Sequence, residues 1–362
     1  MIYFVIFIFL FFLVFLIDLK LDRQANTFIY LIICTVIILF VGLRGNIEPD
    51  YENYLYIYNH SSSLNYNDFE VEPLYLFINK FVGSFGGSFG IIVLLMSVLS
   101  IIPKFIFFKR YSVNFALSII VFYCSSLFLF DFIATRQAVA IGLFLYSLQY
   151  IEKRKPRQYF LIIFLAYLFH ISALILIPCY FILNKRFSKK LLYVTVVLIA
   201  ILNLLQINIH LLSNILGLLP LPGATEAKLL IYSSESEFAF ISVKQIILAF
   251  LFVYINNDEK IKDNTKDNNM LNIGVNIYII GIVMGTLLNE IPQFSYRIKW
   301  YFFTIEAFLI PFLILNLSRN QPIFKYCLYI IFVLIYGYYL SVFFESLASR
   351  GAYIFPYKFF FE

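Results

Sequence analysis

The sequence predicts an all-α polytopic membrane protein, and three observations carry that prediction. Of 362 residues, 62% are hydrophobic and 13% charged, with a mean hydropathy of +0.87. Soluble domains carry roughly 45–50% apolar and about 25% charged residues. Ten apolar runs approach the length a helix needs to cross a bilayer, about 20 residues. Basic clusters then recur at alternate polar gaps, as cytoplasmic loops require. A soluble enzyme, a disordered tail and a secreted disulfide scaffold are excluded.

The runs are 1–17, 28–43, 88–108, 113–133, 134–151, 190–209, 241–256, 270–289, 300–318 and 322–343. The first lacks a basic n-region and a small-residue cleavage site, so it reads as a retained helix rather than a signal peptide. One further stretch, 158–183, has basic clusters at both ends and His170 near its middle. Placing both clusters on one side predicts a re-entrant helical hairpin around His170. With that hairpin, 18 basic residues fall inside, among them Lys104, Lys109 and Arg110, and 9 fall outside. Both termini are then extracytoplasmic, and 1–362 forms one integral membrane domain. The outer face gains a loop at 44–87, with an interfacial helix at 73–82, a second loop at 210–240 and a tail at 344–362. Residues 257–269 form a charge-mixed cytoplasmic linker.

The net charge of +6 therefore reports topology and implies no nucleic-acid partner. The cysteines Cys34, Cys124, Cys179 and Cys327 sit singly in apolar runs, without metal or disulfide spacing, and read as packing residues. Gly281 and Gly285 have the spacing of a helix-packing pair.

Ionisable residues near the bilayer carry the functional signal, because apolar surroundings penalise them unless they are paired or used. Arg44, Arg136, Arg297 and Arg350 all fall at outer helix ends. Arginine keeps its charge and offers a planar fork to phosphate oxygens, so several on one face suit a diphosphate. Snorkelling to headgroups is the plainer alternative for each. Arg136 stands out, since FDFIATRQAVAIG sets Asp131 and Arg136 between two apolar helices. His170 needs a partner within the run YFLIIFLAYLFHISALILIP; its pKa range suits proton transfer to or from a sugar hydroxyl, and a helix-breaking core histidine is the alternative. Glu48 and Asp50 form an acidic pair that a metal could use. The tyrosines at 51, 54, 56 and 58 could stack on sugars or form an interfacial belt.

In order along the chain stand Leu43-Arg44-Gly45 with Asp50-Tyr51, then Glu72-Pro73 with Tyr75, then Arg136-Gln137. Phe169-His170, Tyr296-Arg297 and Pro356-Tyr357 follow. In this order the sequence resembles the EpsG-like family of bacterial polysaccharide polymerases, relatives of the Wzy-type O-antigen polymerases. The resemblance implies a GT-C-like bundle in the bacterial cytoplasmic (inner) membrane, acting at its outer face without cofactor or nucleotide sugar. An oligosaccharide on undecaprenyl diphosphate would be transferred to the non-reducing end of another lipid-linked repeat unit. The implied partners are these lipid-linked oligosaccharides as donor and acceptor, the lipid bilayer and a chain-length regulator. The implied roles are diphosphate binding by Arg44, Arg136 and Arg297, base or orienting work by His170 and Asp50, and sugar contacts by Tyr51, Gln137, Tyr296 and Tyr357. Two other readings stay open. One is a flippase or transporter of the same lipid-linked sugar. The other is a metal-dependent glycosyltransferase using a polyprenyl-phosphate sugar through Glu48 and Asp50.

Overall fold

A computed structural model describes residues 2–18, 22–66, 71–206, 240–256, 268–319, 321–349 and 354–362. The chain divides into two compact units, Met1–Tyr180 with Ile310–Glu362, and Phe181–Leu309. The predicted outer loop 210–240 and linker 257–269 lie almost wholly outside the described residues, as do His210 and Arg350.

All ten apolar runs form helices. In the first unit these are α1 (Ile2–Asp18), α2 (Arg23–Gly42), α3 (Tyr51–His60), α4 (Pro73–Ser84), α5 (Phe89–Tyr111), α6 (Phe115–Phe122), α7 (Thr135–Glu152) and α8 (Pro156–Phe169). The short helix α9 (Cys179–Ile182) follows. Then come α10 (Lys189–Leu204), α11 (Val243–Asn256), α12 (Asn268–Leu287), α13 (Pro292–Phe303), α14 (Glu306–Ser318) and α15 (Pro322–Ser349). Their starts follow local chemistry. Asp22 and Asn114 accept N–H bonds that cap α2 and α6. Proline opens α4, α8 and α13, where its missing N–H has no cost.

Length separates the helices into two groups. Among the described residues, five are long and apolar enough to cross a membrane, or six if α13 and α14, bent by 46°, form one span. Five or six of the ten expected spans thus have the length and composition of a crossing, while Ile2–Ile17 and Val243–Asn256 are among the shorter apolar helices. The end α15 runs to Ser349, so the predicted tail begins six residues later than expected. Within the candidate spans, α2 and α15 bury 28% of their apolar windows, whereas 115–133 buries 83%. The first two thus present apolar surface outward, as lipid contact demands. Cys327 and, in part, Cys34 share that outward surface, while Cys124 and Cys179 are buried.

The predicted hairpin is visible in the chain path. α8 stops at His170, a 3-10 turn follows over Ile171–Leu176, and the chain turns back. Tyr159 donates its hydroxyl to the Leu176 carbonyl at 2.6 Å, and Tyr180 packs on Tyr159 and Phe160 at 5.3 and 5.4 Å. Entry and exit of the segment therefore meet. In the second unit, Asn276 of α12 donates 2.8 Å bonds to the carbonyls of Leu183 and Lys185, which ties down the chain that follows α9. The Gly281 and Gly285 pair is also a close-packing surface, where added Cβ atoms would meet Phe302 Cβ at 2.7 Å and Ile241 Cδ1 at 2.5 Å.

The centre of the first unit is α5 against α7. A Cβ on Gly142 would stand 2.6 Å from the Ser100 carbonyl, so only glycine permits this approach. Small residues allow such contact where lipid removes the hydrophobic drive between helices. Beyond α6 the backbone widens into a π-helix over Tyr123–Ile133. There Asp131 Oδ1 accepts from Lys104 Nζ at 2.6 Å and Ser100 Oγ at 2.7 Å, and both charged side chains are buried. Lys104 is thus not a cytoplasmic loop residue as expected but an interior cation of α5. Without it, the clusters expected in the cytoplasm hold 17 basic residues, against 9 expected outside.

Breaking this buried pair from one side strands the other charge. Lys104→Met is expected to cost about 3–5 kcal/mol, read as a lower melting temperature of detergent-purified protein. Adding Asp131→Leu should restore most of the loss. A wild-type melting curve from the single variant would contradict the pairing.

Candidate functional site

The break between the π-helix and α7 places charged residues at one end of the first unit. Ala134 leaves helical geometry with ψ 61°, and α7 begins at the next residue. Arg136 therefore stands in the first turn of α7. Its Nη1 donates to the Glu72 carboxylate. Its guanidinium lies over the rings of Tyr54 and Tyr75, at 5.5 and 5.6 Å from their centroids. Both tyrosines are buried, whereas 25% of the Arg136 side chain is exposed. Nε has no hydrogen-bond partner among the described residues. The result is a cation fixed on an aromatic floor, with donor capacity left over.

Glu72 precedes Pro73 and makes no side-chain cap for α4, so its carboxylate serves Arg136 instead. Tyr54 reaches the floor from α3, whose first turn starts when Tyr54 N–H bonds the Asp50 carbonyl at 3.0 Å. Tyr75 comes from α4, the interfacial helix expected at 73–82, here Pro73–Ser84. Phe169 packs in the same apolar cluster as Tyr54 and Tyr75, which brings the turn at His170 to this region.

Arg44 behaves differently. It is 2% exposed, and its Nη1 and Nη2 donate 2.6 Å bonds to the carbonyls of Val41 and Phe132. It staples the end of α2 to the end of the π-helix. The C-terminal strap then lies along it. Gly45 N–H bonds the Lys358 carbonyl at 2.9 Å, and Phe360 N–H bonds the Leu43 carbonyl at 3.0 Å, a short antiparallel bridge centred on Arg44 and Phe359. A Cβ on Gly45 would fall 2.8 Å from the Phe359 carbonyl oxygen. Tyr357 stacks on Phe40 and donates its hydroxyl to the Phe40 carbonyl at 2.8 Å, so both ring and hydroxyl are used in packing.

His170 is half-buried and caps the 3-10 turn. Its Nδ1 accepts from the Ser172 backbone N–H and lies 2.6 Å from Ser172 Oγ. A backbone N–H can only donate, so the neutral ring carries its proton on Nε2. Tyr51 packs edge-on against Phe89 at 5.1 Å, and Gln137 is buried beside Arg136. Arg297 and Tyr296 belong to the second unit, where both are exposed on α13. Asp50 occupies the N-cap position of α3 without a side-chain capping bond and is half-buried.

Glu48 lies within the loop that follows α2 rather than at its surface. It is 6% exposed, and its Oε2 accepts from the Asp50 N–H at 2.7 Å. Burial pushes its carboxyl up to about 8, partly offset by the nearby Arg44 charge. No group of three or more His, Cys, Asp or Glu gathers among the described residues.

Sequence reasoning missed two ion-pair partners. Glu72 was visible only as part of a motif. In the second unit, Glu306 accepts from Lys244 at 3.0 Å and from the Tyr278 hydroxyl at 2.9 Å, fully buried. The available signal was a glutamate preceding an apolar run, which requires a cation from another helix.

The chain matches the EpsG family over residues 27–359. It belongs to that family. No curated protein and no solved structure matches it. Membership makes it a polysaccharide-biosynthesis membrane protein, of a family associated with glycosyltransferase-like polymerases.

The pH dependence of stability tests the burial of Glu48. Its folded pKa of about 8 exceeds the free carboxyl value of about 4.3. Between those values the folded chain holds a proton that the unfolded chain has released, so stability falls as pH rises and levels off above about pH 8. The wild-type melting temperature, taken relative to Glu48→Gln, should decline from about pH 5 to about pH 8. A constant difference would contradict this placement.

Proposed function

We propose that the protein is an oligosaccharide repeat-unit polymerase working at the outer face of a bacterial cytoplasmic membrane. It moves an oligosaccharide from undecaprenyl diphosphate to the non-reducing end of a second lipid-linked unit. The observation that carries this reading is Arg136: a partly exposed guanidinium held by Glu72 over Tyr54 and Tyr75 in a member of the EpsG family. Both termini lie outside in this reading, and the hairpin at His170 dips into the membrane and returns.

In the reaction, the bond between the anomeric carbon and the diphosphate oxygen breaks as the acceptor hydroxyl oxygen bonds that carbon. Negative charge develops on the leaving diphosphate, where a preorganised guanidinium stabilises the transition state more than the ground state. Arg136 supplies that charge, and its Glu72 contact and aromatic floor fix its orientation beforehand. Arg44 organises the loop from inside, through its bonds to Val41 and Phe132. His170 presents Nε2–H and serves as an orienting donor. The acceptor hydroxyl's proton then passes to a carboxylate, for which Asp50 is the outer-loop choice. Tyr51 flanks this region and suits contact with sugar, whereas Gln137 is buried beside Arg136. The released lipid diphosphate leaves through the bilayer.

A transporter reading would need arginines along a path through both leaflets, whereas Arg136 sits at a helix start with an ordered partner. The test is a gel ladder of surface polysaccharide in a deletion strain, complemented at matched membrane levels. Wild type should give full ladders, and Arg136→Ala should give single-repeat product with polymer reduced about 100-fold or more, the scale of one lost charge-stabilising contact. Arg136→Lys keeps the charge without the fork and should fall between them. His170→Ala should lower polymer yield less than Arg136→Ala. Full ladders from Arg136→Ala would reject the site. Loss of even the single-repeat product in the deletion strain would favour a transporter or an upstream transferase.

A further inference from the structure

The strap at 354–362 meets the first unit at both ends of one segment. Its approach is anchored by aromatic residues. Tyr3 of α1 donates its hydroxyl to the Ile354 carbonyl, and Phe355 packs on Tyr3 and on Phe344 of α15 at 4.5 and 4.9 Å. Residues 359–362 then fold into a turn. In it the Glu362 carboxylate accepts from the Phe359 N–H at 3.1 Å, and the Glu362 N–H donates to the Phe359 carbonyl at 3.2 Å. This turn sets the Phe360 ring against the first turn of α5. A Cβ on Gly90 would overlap that ring, standing 2.6 Å from Phe360 Cε2. On the other side, the Phe359 carbonyl oxygen fills the space a Cβ on Gly45 would need, and the Phe360 N–H bonds the Leu43 carbonyl.

Gly45 and Gly90 bracket the segment that supplies the surroundings of Arg136. Glu72, which pairs with its guanidinium, and Tyr54 and Tyr75, which lie beneath it, all come from between these glycines. The route from the strap to that floor is short. Phe89, next to Gly90, packs on Tyr51 and Tyr58 at 5.1 and 5.9 Å and shares one buried cluster with Tyr54 and Tyr75. A long segment gains freedom when its ends part, and a clamp across its base removes that freedom. Two glycines from separate elements make room for the same two strap residues, so backbone and ring can approach closely at both ends.

We propose that Phe359 and Phe360 are positioning residues: by holding Gly45 and Gly90 together they close the base of segment 45–90 and set the floor on which Arg136 rests. They touch no reacting atom and act through Tyr54, Tyr75 and Glu72. Their effect on activity rests on the polymerase reading, whereas their effect on the segment does not.

The test is hydrogen exchange of the full chain in nanodiscs, read by mass spectrometry, beside polysaccharide ladders at matched membrane levels. The variants are Phe360→Ala, Phe360→Tyr, Gly90→Ala and the double variant of Phe360→Ala with Gly90→Ala. Phe360→Ala and Gly90→Ala should each speed exchange over α3 and α4 about tenfold, with α7 at its wild-type rate. Polymer should fall about 10- to 100-fold in both, the scale of a small misplacement near the chemistry, with single-repeat product retained. Phe360→Tyr keeps the ring and should restore wild-type exchange and ladders. The double variant should fall no lower than either single one, because both remove the same contact. Wild-type exchange over α3 and α4 in Phe360→Ala and Gly90→Ala overturns the proposal. So do full ladders from those variants, or exchange that rises equally in α7, which marks general loosening. Loss of the single-repeat product in the deletion strain rejects the polymerase reading alone, since the exchange measurement uses no substrate and still decides whether the strap closes the segment.

Discussion

The first unit depends on one buried ion pair, Lys104 with Asp131. In an apolar interior neither charge is tolerable alone, so α5 and the π-helix are tied at that point, with Ser100 completing the contact. The consequences run outward along the chain. The π-helix ends two residues later, the backbone breaks at Ala134, and α7 starts with Arg136 in its first turn. The Phe132 carbonyl, next to Asp131, accepts from Arg44 and ties down the loop that follows α2. One internal charge pair therefore positions both arginines, one as a staple and one at the surface.

The two arginines show why position in a fold matters more than residue type. Arg44 spends its donors on backbone carbonyls under the C-terminal strap. Arg136 instead pairs with one carboxylate and rests on two rings, keeping part of its surface open. An arginine held in this way needs little reorganisation when charge develops beside it, which is the physical basis of electrostatic catalysis. Family membership gives the chemical setting, and the aromatic floor gives the geometry.

Much of the architecture was legible in the sequence. Apolar runs marked the ten helices, and basic clusters flanking 158–183 forecast the return of the chain at His170. Proline at 73 marked α4. What sequence spacing leaves out is which helices become neighbours. Lys104 sits only five residues before Lys109 and reads as part of a loop cluster until Asp131, 27 residues away, is placed against it. Glu72 and Arg136 are 64 residues apart. The strap joins Arg44 to Phe359 across nearly the whole chain, and no local periodicity reports such a contact.

In the proposed reaction, this protein joins lipid-linked repeat units through an arginine-stabilised diphosphate departure. Reconstitution of the purified full chain in liposomes with an undecaprenyl diphosphate-linked repeat unit tests it most directly. Elongated glycan is expected, with undecaprenyl diphosphate released in step with each new bond and in the presence of a chelator. Units that cross the bilayer without joining, or joining only from a polyprenyl-phosphate sugar with a divalent cation, would contradict it.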